Sequence, residues 1–485
     1  MLASRAFTVL AMILAARILG KAGFGGLGMV QSTVGMFGVF AGLGLGVTAT
    51  KYVAELRKAD PGRAGRVLTL AIGVQIAASV LAAALILSSA RLIADRAVNA
   101  PELVQEIRLA ALLLCCLMLN RFVADALAGF EAWRAVALMS AAQGVLLLPA
   151  MSLLASDYGL SGAVVALTAA AAAGMLVGGV ALRLQCAHSG VALHVAGAWG
   201  ERGVIWQFSL PAVLTSLTVG PVYWLMCALL ANVPSGYDEL GVLMATLQWR
   251  NVAMYVPGAM SFVLLPVLAQ LHGAGDVKRF ERAVVTQVQM LWLATIPLAV
   301  GVVCLADWLL GLYGEGFPGN ELLLTLVLLG APFYCLSMSL GNALLSVGRA
   351  WLRLVVFAVS GVALIGVTVG LAPVLGALGL AVAYVAGYSL RIAWELIVLR
   401  SARIARASVL LLVASGVQVG GAYALSRSGL IAPVALAALL CPASVLIGWT
   451  SAPRDVRKAL TRVVGQRLTA LLPRRRTGAA GEVGP

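Results

Sequence analysis

The chain has 485 residues, 61% of them hydrophobic and 11% charged, and a formal net charge of +15, with a mean hydropathy of +1.00. No water-exposed globular surface is built from such a composition, and the Leu-, Val- and Ala-rich stretches far exceed the roughly 10-residue alternating strands of an outer-membrane barrel. What remains is an all-α polytopic membrane protein, whose backbone satisfies its own hydrogen bonds in helices.

Glycine and proline breaks and charged clusters divide the chain into about 14 transmembrane spans. They fall near 3–19, 27–50, 67–88, 107–128, 136–154, 160–182, 204–231, 239–266, 285–306, 322–346, 352–371, 375–399, 407–425 and 430–450. The first span starts almost at Met1 with Arg5 as its early charge; because further spans follow at once, it reads as a retained transmembrane helix and not a signal peptide. Next comes GFGGLG (23–28), which satisfies G-x-G-x-x-G but follows an apolar helix instead of a strand. It reads as a tight turn between helices, not a phosphate cradle.

KYVAELRKADPGRAGR (51–66) reads as a charged loop at the lipid headgroups with a Pro-Gly turn, with Lys51 at the helix end as an alternative cation for a cavity mouth. Within the spans, Arg121 and Asp125 of LNRFVADAL (119–127), and Arg391 and Glu395 of SLRIAWEL (389–396), each lie i, i+4 on one helical face. Two readings stand for each pair: an internal ion pair that supports packing, or an arginine presented to a wet cavity with an acid that tunes it or carries a proton. Arg250 is different. It sits mid-span in GVLMATLQWRNVAMYVPGAMSFVLLP (241–266), where a charge costs about 2.5–3.5 kcal/mol, and no acid lies within four residues. It must meet a ligand anion, a carboxylate on another helix, or the interface by snorkelling. After the last span, LTRVVGQRLTALLPRRRTG (460–478) reads as a surface amphipathic helix and basic tail.

Most of the 34 Lys and Arg fall between spans on one side, whereas Arg17, Lys21, Arg91, Arg96, Arg108 and Arg427 fall on the other. The positive-inside rule then puts both termini in the cytoplasm, and it absorbs the net charge without any nucleic-acid partner. Six of the seven cysteines lie in apolar runs, there is no CxxC or histidine pair, and no cofactor or metal set is indicated. No nucleotide or hydrolase motif is present, so the chain reads as a non-enzyme.

The chain also repeats. At an offset near 217 residues, YGLSGAVVA (158–166) aligns with LGALGLAVA (375–383), and Asp60 and Arg63 align with Asp276 and Arg279. An even number of spans separates equivalent points, so the halves share one orientation. The expected organisation is two six-helix lobes in parallel repeat plus two C-terminal helices. The lobes are 1–183 and 204–399, with a cytoplasmic linker 184–203 between them, two additional helices in 400–450 and a basic cytoplasmic tail 451–485. Parallel repeats that bracket a cavity point to a transporter; a channel would need a re-entrant filter or rings of polar residues.

LAARILGKAGFGGLGMVQSTVGMFGVFAGLGLGVTATKYVAEL (14–56) resembles the opening of the MOP superfamily polysaccharide flippases, the Wzx-type O-antigen and exopolysaccharide exporters: Arg-Ile-Leu-Gly before an aromatic and glycine segment, then a Gly-Leu-Gly helix end before a charged stretch. The resemblance implies a flippase that moves polyprenyl-diphosphate-linked oligosaccharide repeat units across the cytoplasmic (inner) membrane by alternating access. It also implies membrane lipids as surroundings and a polysaccharide polymerase and chain-length regulator as partners. Arg250 before Pro257, Gly258, Leu265 and Pro266 is similar to the cavity arginine of the related lipid II flippases, and Arg17 is the matching first-helix candidate. Arg121, Arg391 and Lys51 complete the candidate substrate cations, with Asp125 and Glu395 as candidates for ion coupling or charge pairing. A multidrug antiporter of the same superfamily is the alternative, although the first three spans hold no Asp or Glu. A non-transporting scaffold for glycan assembly is a third reading.

Overall fold

The computed structural model describes residues 2–42, 44–194, 196–203, 219–263, 265–429 and 432–451. The first part of the seventh expected span with Pro211, and the amphipathic segment and basic tail beyond 451, lie outside the described residues.

The regular structure among the described residues is helical: α1 (Leu2–Gly42), α2 (Leu45–Ala59), α3 (Pro61–Leu92), α4 (Val104–Gly129), α5 (Trp133–His188), α6 (Gly220–Ala231), α7 (Gly236–Val263), α8 (Leu265–Gly273), α9 (Val277–Cys304), α10 (Ala306–Gly311), α11 (Glu321–Ser346), α12 (Ala350–Leu375), α13 (Ala377–Leu399), α14 (Ala402–Ser428) and α15 (Pro433–Ser451). Among them nine are long and apolar enough to cross a membrane. Two of those nine are double spans. The 56 residues of α5 would run about 84 Å if straight, more than twice the hydrocarbon thickness. Instead α5 folds back at Gly159 (φ 57°, ψ −132°), and its two halves pack face to face, Gly162 on the Leu154 carbonyl, Gly174 on Gln143 and Gly178 on Met139. Likewise α1 breaks at Gly20 (φ 68°, ψ −177°), a positive φ that glycine adopts without a Cβ clash. Before the break Ser4 lies on Gly144; after it Gly26 packs on Leu160 beside the α5 apex, and Ala41 then accepts from Gln75 within α3. With α6, α7 and α15 added, the fold carries about 14 spans.

The repeat is visible in turns and caps. Gly376, between α12 and α13, has φ 56° and ψ −132°, nearly the values of Gly159. Gly379 sits against Leu371 as Gly162 sits against Leu154. Asp60 and Asp276 cap α3 and α9 by accepting from the Arg63 and Arg279 amides at 2.9 and 3.0 Å, which satisfies an amide that a helix start leaves free. Two six-helix lobes in parallel repeat, followed by α14 and α15, are therefore built from the same corners. One end of the bundle holds Arg5, the α2–α3 corner, the α9 start and the α13–α14 corner, and is called the basic end below.

Three local expectations are corrected. GFGGLG (23–28) is not a turn: the chain reverses at Gly20, and residues 23–28 are helical. The segment 51–66 is not a loop, because Lys51–Ala59 completes α2, Asp60 breaks it and Pro61 opens α3. The reason is amphipathic spacing: Leu45, Ala49 and Val53 are fully buried on one face of α2, which therefore packs as a surface helix. Nor does Leu184 open the linker; it belongs to α5, which runs to His188.

Candidate functional site

A cavity of about 360 Å³ lies between the lobes. Residues Met244, Leu247, Gln248 and Asn251 of α7 line it at i, i+3, i+4, i+7 spacing, with Arg250 beside them. From α13 come Tyr384, Tyr388 and Arg391, again on one helical face, while Tyr223 (α6), Tyr334 (α11) and Gln31 (α1) complete the polar lining. Two arginines 141 positions apart in the chain thus face one space.

Each cation rests on rings. The Arg250 guanidinium lies 5.7 Å from the Tyr384 centroid, and Arg391 lies 3.9 Å from the centroid of Phe357 and 5.1 Å from that of Tyr388. Tyr384 and Tyr388 stack at 6.1 Å, and Tyr334 meets Tyr388 edge-on at 5.6 Å. The ring faces hold the cations by their quadrupoles and leave the guanidinium N–H groups available for a ligand. Arg391 donates Nε–H to Ser360 Oγ at 3.0 Å, whereas the buried Nε of Arg250 has no hydrogen-bond partner.

Behind Arg391, Glu395 is fully buried. One carboxylate oxygen accepts from Ser337 at 3.3 Å and the other has no hydrogen-bond partner. Arg353 of α12 stands over the same Phe357 ring at 5.0 Å, making Arg353, Glu395 and Arg391 one buried charge cluster. Neither Arg391–Glu395 nor Arg121–Asp125 closes to the 4.0 Å of an ion pair among the described residues.

The remaining candidates sit elsewhere. Arg121 is exposed on α4; Asp125 faces α2, its carboxylate against Gly46 and its carbonyl accepting from Thr50 at 2.7 Å. Lys51 stands over the Tyr52 ring at 5.1 Å, near the basic end. Arg17 donates Nε–H to the Leu312 carbonyl at 2.7 Å, across the lobes at the end opposite the basic one. Sequence reasoning passed over Arg353 and the tyrosines. Tyr384 and Tyr388 lie seven and three residues before Arg391, and that shared helical face was the available signal.

The lobes are joined tightly at that opposite end. A Cβ on Gly25 would overlap the Tyr237 carbonyl and one on Gly241 the Lys21 carbonyl, so these glycines bring α1 and α7 into backbone contact. Next in the chain to Leu312, Tyr313 packs with Phe24 and Phe317, centroids 5.6–6.4 Å apart. Asn232 donates to the Ala97 carbonyl at 2.8 Å and Tyr237 to that of Val98 at 3.0 Å.

Paired parallel lobes around a cavity that holds two arginines and four tyrosines, joined tightly at one end, define a multi-pass membrane transporter. The profile of the polysaccharide biosynthesis protein family matches residues 1–272, and that of the MatE family residues 211–374. With more than half of its length matched, the chain belongs to the polysaccharide biosynthesis protein family. A stretch of 159 residues is 25% identical to the EPS I polysaccharide export inner membrane protein EpsE of Ralstonia nicotianae, covering 31% of this chain and 35% of that protein. The match thus spans about a third of the relative's length. Among solved structures, the lipid II flippase MurJ in an inward closed conformation superposes with a TM-score of 0.66 at 12% identity, covering 95% of this chain and 97% of that one. An inward-facing multidrug resistance MATE family transporter of the MOP superfamily also gives 0.66, at 13% identity over 82% and 94%. The fold is that of the MOP superfamily.

Proposed function

We propose that this chain is a flippase that carries polyprenyl-diphosphate-linked oligosaccharide repeat units across the cytoplasmic membrane for polysaccharide export. The observation that carries the reading is the shared cavity of Arg250 and Arg391: two guanidiniums without a carboxylate contact within 4.0 Å among the described residues, facing one space. A diphosphate carries its charges on oxygens that guanidiniums bind in a planar, two-pronged geometry. The headgroup cannot cross hydrocarbon without losing its hydration, a cost of several kcal/mol per polar group (about 2–7) that a polar inter-lobe cavity avoids.

In this reading the basic end faces the cytoplasm, as do both termini, and the seam at Gly25, Gly241 and Arg17–Leu312 is the outer closure. Rocking of one lobe against the other parts that seam and exposes the headgroup outside. Lys51, near the basic end, meets the headgroup on entry. A polymerase and a chain-length regulator act on the delivered unit, and the chain itself performs no chemistry.

The drug-antiporter alternative calls for an acid facing the N-terminal part of the cavity. Asp125 faces α2 instead, which favours the flippase. Deletion of the gene tests the proposal: surface glycan is lost and lipid-linked oligosaccharide accumulates in the inner leaflet. Unchanged glycan with altered drug tolerance would overturn it in favour of the antiporter.

A further inference from the structure

A second pocket, of about 260 Å³, lies within the N-terminal lobe and shares Gln31 with the central cavity. Its other polar wall is Gln143 of α5; Leu113, Leu117, Leu147 and Leu167 supply most of the rest, and no charged side chain lines it. We propose that this pocket is a subsite for a single uncharged sugar ring of the lipid-linked glycan, so that the two lobes divide the ligand, anion on one and neutral ring on the other. The proposal rests on the flippase reading.

The two lobes place different chemistry at equivalent positions. Asn120, Gln143, Gly174 and Gly178 of the first lobe stand 217 positions before Ser337, Ser360, Arg391 and Glu395 of the second. One contact corresponds directly: Gln143 packs on Gly174 as Ser360 pairs with Arg391; beside it Asn120 pairs with Gln143 at 2.9 Å, whereas Ser337 pairs with Glu395. Where the C-terminal lobe has two serines, an arginine and a glutamate, the N-terminal lobe has two amides and two glycines. With glycines at the positions of the charges, the amides are the polar groups left on this side.

Those amides have capacity to spare. Asn120 is 6% exposed and donates to the Gln143 carbonyl oxygen, which fixes the Gln143 amide and leaves its NH₂ group without a partner among the described residues. Gln31 makes no hydrogen bond among the described residues, and its amide stands at the junction of the two spaces. An amide both donates and accepts, which matches sugar hydroxyls, and the leucine walls suit the C–H face of a ring. A carboxylate or phosphate would find no counter-charge there and would lose its hydration. The volume lies just under the usual range for ligand pockets, about 300–1,000 Å³, which suits one ring and not an oligosaccharide.

The test uses purified full-length protein in detergent. Saturation-transfer NMR reads binding of the methyl glycosides of glucose, galactose and N-acetylglucosamine, and calorimetry reads inorganic pyrophosphate. Wild type is expected to bind at least one glycoside. Gln143→Met and Gln31→Met should each cut that signal threefold or more, with Gln143→Met leaving pyrophosphate affinity within twofold. Gln31→Met removes no hydrogen bond seen in the fold, so it answers for any misfolding caused by stranding Asn120. Glycoside binding unchanged in both variants overturns the subsite, as does a wild type that binds pyrophosphate and none of the three glycosides. Glycoside binding that depends on both glutamines, in a protein that ignores pyrophosphate, upholds the subsite and counts against the anion reading of the central cavity alone.

Discussion

Arg250 of α7 and Arg391 of α13 line the same cavity, each laid over a tyrosine that is itself stacked on the other's. The stack keeps two like charges at fixed places without neutralising either. A dianion entering between them removes their mutual repulsion, so occupancy is felt by two helices of the C-terminal lobe at once.

Arg250→Ala and Arg391→Ala are expected to lower export of surface glycan at least tenfold with membrane protein levels unchanged. The basis is the loss of charge-assisted bonds worth about 1.5–3 kcal/mol. Arg250→Lys keeps the charge but not the two-pronged geometry and should fall between wild type and Arg250→Ala. Glycan quantified on whole cells decides, and wild-type export in both Arg250 variants would remove it from the site.

Arg17 should behave as a closure residue. Arg17→Ala is expected to leave pyrophosphate affinity within twofold, because its guanidinium is spent on the Leu312 carbonyl away from the cavity. The same variant should raise the labelling rate of a cysteine placed at Tyr313, the buried residue next to Leu312. A large fall in pyrophosphate affinity would instead make Arg17 a ligand-binding residue.

Replacing Gly25 or Gly241 by Val should destabilise the seam by about 1–3 kcal/mol, as overpacking does in a dense core. Thermal unfolding in detergent should show a lower midpoint for both, with Gly42→Val as a control, since nothing lies within 4 Å of a Cβ there. Equal midpoints for all three would mean that the α1–α7 contact gives way freely.

Glu395 and Arg353 should be energetically coupled. Removing the carboxylate alone leaves Arg353 and Arg391 as unrelieved like charges, whereas removing Glu395 and Arg353 together restores part of the loss. A double-mutant cycle of Glu395→Gln and Arg353→Met on unfolding is expected to give a coupling of about 1 kcal/mol or more. Additive effects would place the two residues in separate environments.

Much of the fold was legible because membrane insertion constrains sequence severely. Hydropathy marks the spans, and backbone hydrogen bonding in hydrocarbon admits only helices there. The repeat was legible at Gly159 and Gly376 and at Asp60 and Asp276 because reversals and caps demand particular residue types. Less legible were the ends of elements. Gly20 was hidden before a run of further glycines, of which Gly25 and Gly28 serve the approach of α1 to α7, a contact between segments over 200 residues apart. Likewise the charged stretch after Thr50 looked like a loop because its apolar positions are few, yet burial of Leu45, Ala49 and Val53 against the lobe makes it a helix.

By itself, the sequence determined that the chain is a helical membrane protein of two like-oriented repeats, and that Arg250 lacks a local counter-charge. It did so because hydropathy, periodicity and local spacing are properties of neighbouring residues. Only the tertiary structure decided which charges meet. It brought Arg391 to Arg250, set Arg353 behind them, carried Arg17 to Leu312 across 295 positions, and turned Asp125 away toward α2. Those outcomes depend on helix rotation and lobe packing, which are fixed by steric fit among distant segments and leave no trace in the spacing of any one of them.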